Sequence, residues 1–82
     1  MMKTFHLTIT RIGETIFDGD AVSVSFPGKE GVFEVLAEHE ALISLLSEGE
    51  LRIKTTSGET RHFEIPHGGI AEIALNQATV LL

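Results

Sequence analysis

Four histidines, His6, His39, His62 and His67, are the side chains of this 82-residue sequence best suited to chemistry. An imidazole can bind a transition metal or carry a proton near neutral pH. Zinc needs three or four converging N, S or O ligands, usually a close pair and a distant partner. His62 and His67 stand five apart with Pro66 between them, a spacing that guarantees no common face. Glu38-His39-Glu40 puts three potential ligands in a row, but neighbours on a strand point to opposite faces. Solvated surface histidines are the better reading, and His39 reads as an exposed loop residue. Ser23, Ser25, Ser44, Ser47 and Ser57 would need a base and an orienting acid to become nucleophiles, and none lies in a Gly-x-Ser-x-Gly elbow. Pro27-Gly28-Lys29-Glu30-Gly31 has the glycines and lysine of a phosphate loop but neither its spacing nor a following helix. The acidic residues are dispersed rather than paired for general acid–base work. The pattern points away from catalysis, and no cofactor or metal is expected.

The elements that would position these residues are strands. Phe5, Leu7 and Ile9 alternate with His6, Thr8 and Thr10, and Val22, Val24 and Phe26 alternate with Ala21, Ser23 and Ser25. That two-residue period marks half-buried strands. Pro27-Gly28 is expected to stop the second of these, because proline cannot donate to a ladder, and Gly31 to close the corner before Val32–Leu36. Gly13 and Asp18-Gly19 bracket Glu14–Phe17, which reads as a turn or a brief edge strand. Ala37–Ser47 contains good helix formers, but its flanks favour a loop followed by a strand at Leu42–Leu46. Leu51 and Ile53, then Phe63 and Ile65, form a hairpin around Ser57-Gly58. Ile70–Leu75 and Thr79–Leu82 close the chain around a turn at Asn76-Gln77. Strand signals recur about every eight to twelve residues, as in a sandwich or barrel. The expected fold is all-β, one domain over residues 1–82, with two sheets of eight to ten short strands.

Composition narrows the function classes. Twelve acidic and six basic residues give a net charge of −6, and the basic residues are scattered. Phosphate neutralisation needs clustered Lys and Arg, so nucleic acid is not an expected partner. A basic protein surface suits the charge better. There is no cysteine, hence no disulfide or thiolate metal site. The start MMKTFHLTIT lacks a signal-peptide apolar core, and no apolar run approaches the roughly 18 residues of a membrane helix. Any membrane association is expected to be indirect, through a protein partner.

Several of these motifs occur together in one known family. Phe17-x-Gly19, Val22-x-Val24 and Pro27-Gly28-x-Glu30-Gly31-x-Phe33 resemble the amino-terminal β-sandwich of the epsilon subunit of rotary F-type ATP synthases. His39 stands where that family has the histidine of a Pro-Gly-His motif, followed by Leu42 and Leu46. Gly49-x-Leu51-x-Ile53, Gly68-Gly69 with Glu72-Ile73, and Asn76-x-x-Thr79-Val80-Leu81 continue the likeness to the end of the chain. The resemblance implies a non-catalytic rotor subunit of the central stalk, docked on the gamma subunit and the membrane c-ring, coupling ion-driven rotation to ATP synthesis. It implies a place on the cytoplasmic face of the bacterial inner membrane. It also implies partner contacts at Lys29, Glu30, Gly31, Val32, Glu38 and His39.

Two departures accompany the likeness. Where the family reads Phe-Gly-x-Leu-Pro-Gly-His-x-Pro, this chain has Phe33-Glu34-Val35-Leu36-Ala37-Glu38-His39-Glu40-Ala41, with both prolines and both glycines replaced. The loop gains unfolded-state freedom and negative charge, which implies a divergent synthase type. The sequence also ends where the sandwich would, without the family's helical hairpin, so a short form is expected. The alternatives are a stand-alone β-sandwich adaptor for another protein and a small metalloprotein using the four histidines.

Overall fold

The computed structural model describes residues 3–82; Met1 and Met2, the first residues of the stretch read above for a leader, lie outside the described residues. The described chain is all strand: β1 (Phe5–Arg11), β2 (Glu14–Gly28), β3 (Gly31–Leu36), β4 (Leu42–Leu46), β5 (Gly49–Thr55), β6 (Thr60–Ile65), β7 (Gly69–Ala74) and β8 (Gln77–Leu81). One layer runs β1-β8-β7-β4 and the other β3-β2-β5-β6. Among the described residues only β1 and β8 pair in parallel; the remaining ladders are antiparallel. Ala37–Ser47, read as a loop followed by a strand despite its helix formers, is a loop over residues 37–41 followed by β4.

β2 differs most from expectation. It is one strand of 15 residues, not two pieces separated at Asp18-Gly19. Gly19 pairs with Leu7 and Asp18 with Thr8, so a local turn signal yields to the ladder with β1. Asp18 finds its partner across that ladder, 2.5 Å from His6 Nε2. Nor does Pro27-Gly28 end the strand: Pro27 pairs with Val32 and Gly28 with Gly31, leaving Lys29-Glu30 as the turn. Pro27 has no N–H to contribute, but its carbonyl accepts the Ser47 N–H at 2.8 Å and the Ser47 hydroxyl at 3.1 Å. A proline near a strand end therefore forfeits no bond here. Gly28 permits the tight hairpin, since a Cβ there would lie 2.7 Å from the Gly31 carbonyl oxygen and 2.9 Å from the Phe33 ring.

The expected alternation along β2 is also interrupted. Ala21, Val24 and Phe26 are buried while Val22 is only half-buried. The register with β5 slips between Ala21 and Ser23, making Val22 a bulge; Ile16 is a second bulge opposite β1. Each extra residue reverses which parity faces inward and bends the strand. At the other end of the chain, the turn falls at Leu75-Asn76, one residue before the expected place. Both residues are left-handed (φ 51° and 59°), the backbone of a two-residue primed hairpin turn, and Gln77 already pairs with Ala74.

The core is a single apolar cluster. Phe5, Leu7 and Ile9 of β1 meet Val24 and Phe26 of β2, Leu51 and Ile53 of β5, and Ala71, Ile73, Ala78 and Val80 of β7 and β8. Phe26 and Phe33 stack with ring centroids 5.1 Å apart. Arg61 lies 5.5 Å over the Phe17 ring and 5.4 Å over Phe63, capping the cluster with a cation–π contact. Among the described residues no polar or charged residue is buried, so the core is held by apolar burial of about 1.5–3 kcal/mol for each large side chain.

Gly68 marks where close backbone packing limits the sequence. Its φ is +76°, and a Cβ would run into the Leu46 carbonyl oxygen. Gly68→Ala is therefore expected to cost more than about 1 kcal/mol and to lower the melting temperature by about 4–8 °C or more. Gly58→Ala, at φ +89° with nothing within 4 Å, should cost clearly less. Equal melting temperatures for the two variants would refute this account of the packing.

Candidate interaction site

The β2–β3 turn stands over the open side of β4 and leaves a shallow groove of about 710 Å³. Gly28 to Phe33 form one wall, Leu42 to Leu45 the other, and His39 lies between them. The Lys29 N–H donates to the Leu45 carbonyl at 3.1 Å and ties the turn to β4. Along β4, Ile43 and Leu45 take the outward parity and present their side chains without cover, while Leu46 is buried. Val32 is 76% exposed, Ile43 72% and Leu45 56%, so the groove rim is apolar. Three exposed aliphatic residues around one concavity form an apolar patch of the kind that marks contact sites.

Five of the six residues singled out from sequence, Lys29, Glu30, Gly31, Val32 and His39, line this groove. Glu38 does not. Its carboxylate pairs with Lys3 at 3.1 Å, and its backbone N–H donates to Asn76 Oδ1 at 2.8 Å. Glu38 is left-handed (φ 65°), in the position where the resembled motif has glycine. A side chain there costs of the order of 1–2 kcal/mol, which the surrounding contacts must offset. His39 donates its N–H to the Leu36 carbonyl at 3.3 Å. Its Nδ1 lies 2.7 Å from the Glu40 carbonyl, which assigns a proton to that nitrogen.

Three residues of this neighbourhood escaped sequence reasoning: Ile43, Leu45 and Asn76. The first two had a readable signal, since Leu42, Ile43, Leu45 and Leu46 make β4 apolar on both faces, more than one buried face requires. Asn76 was read only as a turn and motif residue, because its hold on a loop nearly forty positions away leaves no local signal.

The histidines are scattered. The two ring nitrogens of His6 face different carboxylates, Asp18 at 2.5 Å and Asp20 at 3.6 Å. His62 Nδ1 lies 3.2 Å from Glu50. His67 lines a separate shallow cleft with Arg11, Pro66, Gly68 and Leu82. Among the described residues, no three His, Cys, Asp or Glu side chains are placed to hold a metal ion.

Glu50 is the most engaged carboxylate. Its Oε1 accepts from Arg52 Nε at 2.9 Å and lies near His62. The Arg52 hydrogen bond, followed by that of His62, holds its pKa below the usual carboxylate range. A depressed folded-state pKa adds stability above the unfolded value, and that stability fades as pH falls through the folded one. Glu50→Gln is thus expected to be slightly destabilising at pH 7 and nearly neutral once wild-type Glu50 is protonated in acid. Thermal melts of both proteins across pH would show it, and a constant difference between them would refute it.

Among the described residues the β-sandwich has an apolar core free of buried charge and an exposed groove with an apolar rim. Comparison with known proteins makes the class specific. The family model described as the ATP synthase Delta/Epsilon chain, beta-sandwich domain, matches residues 4–82. The chain is 41% identical over 81 residues to the ATP synthase epsilon chain of a Nitratiruptor species, covering 99% of this chain and 62% of that one. It is 38% identical to the epsilon chain of Protochlamydia amoebophila, covering 94% of this chain and 52% of that one. Among solved structures it superposes on a chain of the Euglena gracilis mitochondrial ATP synthase (OSCP/F1/c-ring) with a TM-score of 0.89 and 26% identity, covering 95% of this chain and 49% of that one. A chain of the Tetrahymena thermophila mitochondrial ATP synthase (central stalk/c-ring) shares the fold, with a TM-score of 0.79, 15% identity, and coverage of 96% and 63%. The chain belongs to the ATP synthase Delta/Epsilon β-sandwich family. It spans about half to two-thirds of the length of these relatives.

Proposed function

We propose that this chain is a non-catalytic central-stalk subunit of a rotary F-type ATP synthase, docking on the gamma subunit and the c-ring. The observation that carries the reading is 41% identity to an epsilon chain across 99% of this sequence. The groove adds a physical rationale. Lys29, Glu30, Gly31, Val32 and His39 converge on one exposed, partly apolar surface, which suits a partner with an apolar contact and basic groups at its edge. Acidic residues around such a contact orient the partner more than they tighten it. Residues 1–82 act in this reading as one stiff β-sandwich unit, since close-packed layers transmit torque with little deformation. The unit resides on the cytoplasmic face of the bacterial inner membrane, held there through the complex.

Size-exclusion chromatography of the purified chain with a gamma–c-ring subcomplex tests the proposal directly. Co-elution at micromolar concentration is expected. Val32→Glu, which changes an exposed side chain, should leave the melting temperature unaltered and weaken binding about tenfold or more by putting a charge into an apolar contact. Elution apart from the subcomplex at micromolar concentration would refute the proposal.

A further inference from the structure

The loop that brings Glu38 and His39 to the surface has no proline or glycine of its own between β3 and β4. It nevertheless holds a left-handed turn at Glu38, closed by the bond from the His39 N–H to the Leu36 carbonyl and tied to the rest of the fold from outside the loop. Asn76, in the β7–β8 turn, uses every polar group of its side chain for this purpose. Its Oδ1 accepts the Glu38 N–H at 2.8 Å, and its Nδ2 donates to the Thr4 carbonyl at 2.8 Å. Its own carbonyl accepts the His6 N–H at 3.2 Å, so the clamp is anchored to the start of β1. The backbone of Asn76 is itself left-handed (φ 59°), a conformation that asparagine tolerates better than most residues.

We infer that Asn76 is the positioning residue of the His39 loop, setting the turn at Glu38 and thereby the placement of His39 beside the groove. One carboxamide bridges three segments far apart in sequence, and only glutamine, one methylene longer, carries the same donor and acceptor. Aspartate lacks the donor for Thr4, and an aliphatic residue lacks both groups. The hydrogen bonds of Asn76 go to Glu38, Thr4 and His6, none of which lines the groove, so its effect on docking is exerted through Glu38 and His39. That effect on docking rests on the function proposed above; the effect on loop geometry does not.

Three forms of the full chain test the inference: wild type, Asn76→Gly and Asn76→Asp. Glycine keeps the left-handed turn available and removes the clamp. Aspartate keeps the acceptor for Glu38 and loses only the donor to Thr4. Amide hydrogen exchange by NMR is the primary readout, with the His39 ring resonances alongside. In Asn76→Gly the Glu38 amide should exchange about two- to tenfold faster, the range one net hydrogen bond spans, while β7 and β8 amides keep their protection. The His39 ring resonances should shift, and Asn76→Asp should restore most of the Glu38 protection. Affinity for the gamma–c-ring subcomplex should fall in Asn76→Gly by a factor similar to the exchange change. Unchanged Glu38 exchange in Asn76→Gly would overturn the inference, as would protection lost equally along β7 and β8. Faster Glu38 exchange with undiminished affinity would overturn the positioning of a docking loop. Should wild type itself not bind the subcomplex, the proposed function fails, while the exchange and ring data still decide whether Asn76 holds the loop.

Discussion

β2 belongs to both layers at once, and the bulge at Val22 is what lets it do so. Before the bulge, Phe17, Gly19 and Ala21 share the inward parity opposite Ile9, Leu7 and Phe5. After it, Val24, Phe26 and Gly28 take that parity against β3 and β5. A strand of strict alternation would have turned one of these sets to solvent. The bulge therefore decides whether Phe26, the largest fully buried side chain, packs in the core at all. The stack of Phe26 on Phe33 and the hairpin at Lys29-Glu30 follow from it.

The exposed groove is a consequence of the same strand. β2 ends at Gly28, pinned to β4 through the Gly28–Leu46 pair and the Lys29–Leu45 hydrogen bond, and the hairpin projects beyond that pin. β4 then runs on with Ile43 and Leu45 on its outward parity, where nothing covers them. An apolar rim of this kind would be a liability in an isolated protein; in the assembly proposed above it is a contact. Stiffness behind the rim comes from the buried cluster, and charge around it comes from the acidic excess of the chain. The two properties are supplied by different residues, so surface charge can vary without disturbing the core.

Much of this was legible from residue order. The all-β class, β1, β4, and the β5–β6 hairpin follow from period-two alternation with turn residues between. The corner residues Lys29 to Val32 and His39 were reachable from motif resemblance, and the structure draws them to one groove. Glu38 was carried over with them by motif position, and its pairing with Lys3 and Asn76 lies outside what a motif reveals. Asp18-Gly19 and Pro27-Gly28 misled because turn propensity is local. A long ladder with β1 and a carbonyl acceptor for Ser47 outweighed it.

Sequence by itself determined which residues are apolar, how often they recur, and hence that two β layers enclose one core. It also determined the net negative charge and the lack of cysteine, which are properties of composition. Tertiary structure decided the continuity of β2, the bulges, the position of the last hairpin turn, and the meeting of Asn76 with Glu38. Those features arise from pairings between residues distant along the chain, where a hydrogen bond or a steric contact of about 1 kcal/mol tips a choice that local preference leaves nearly even.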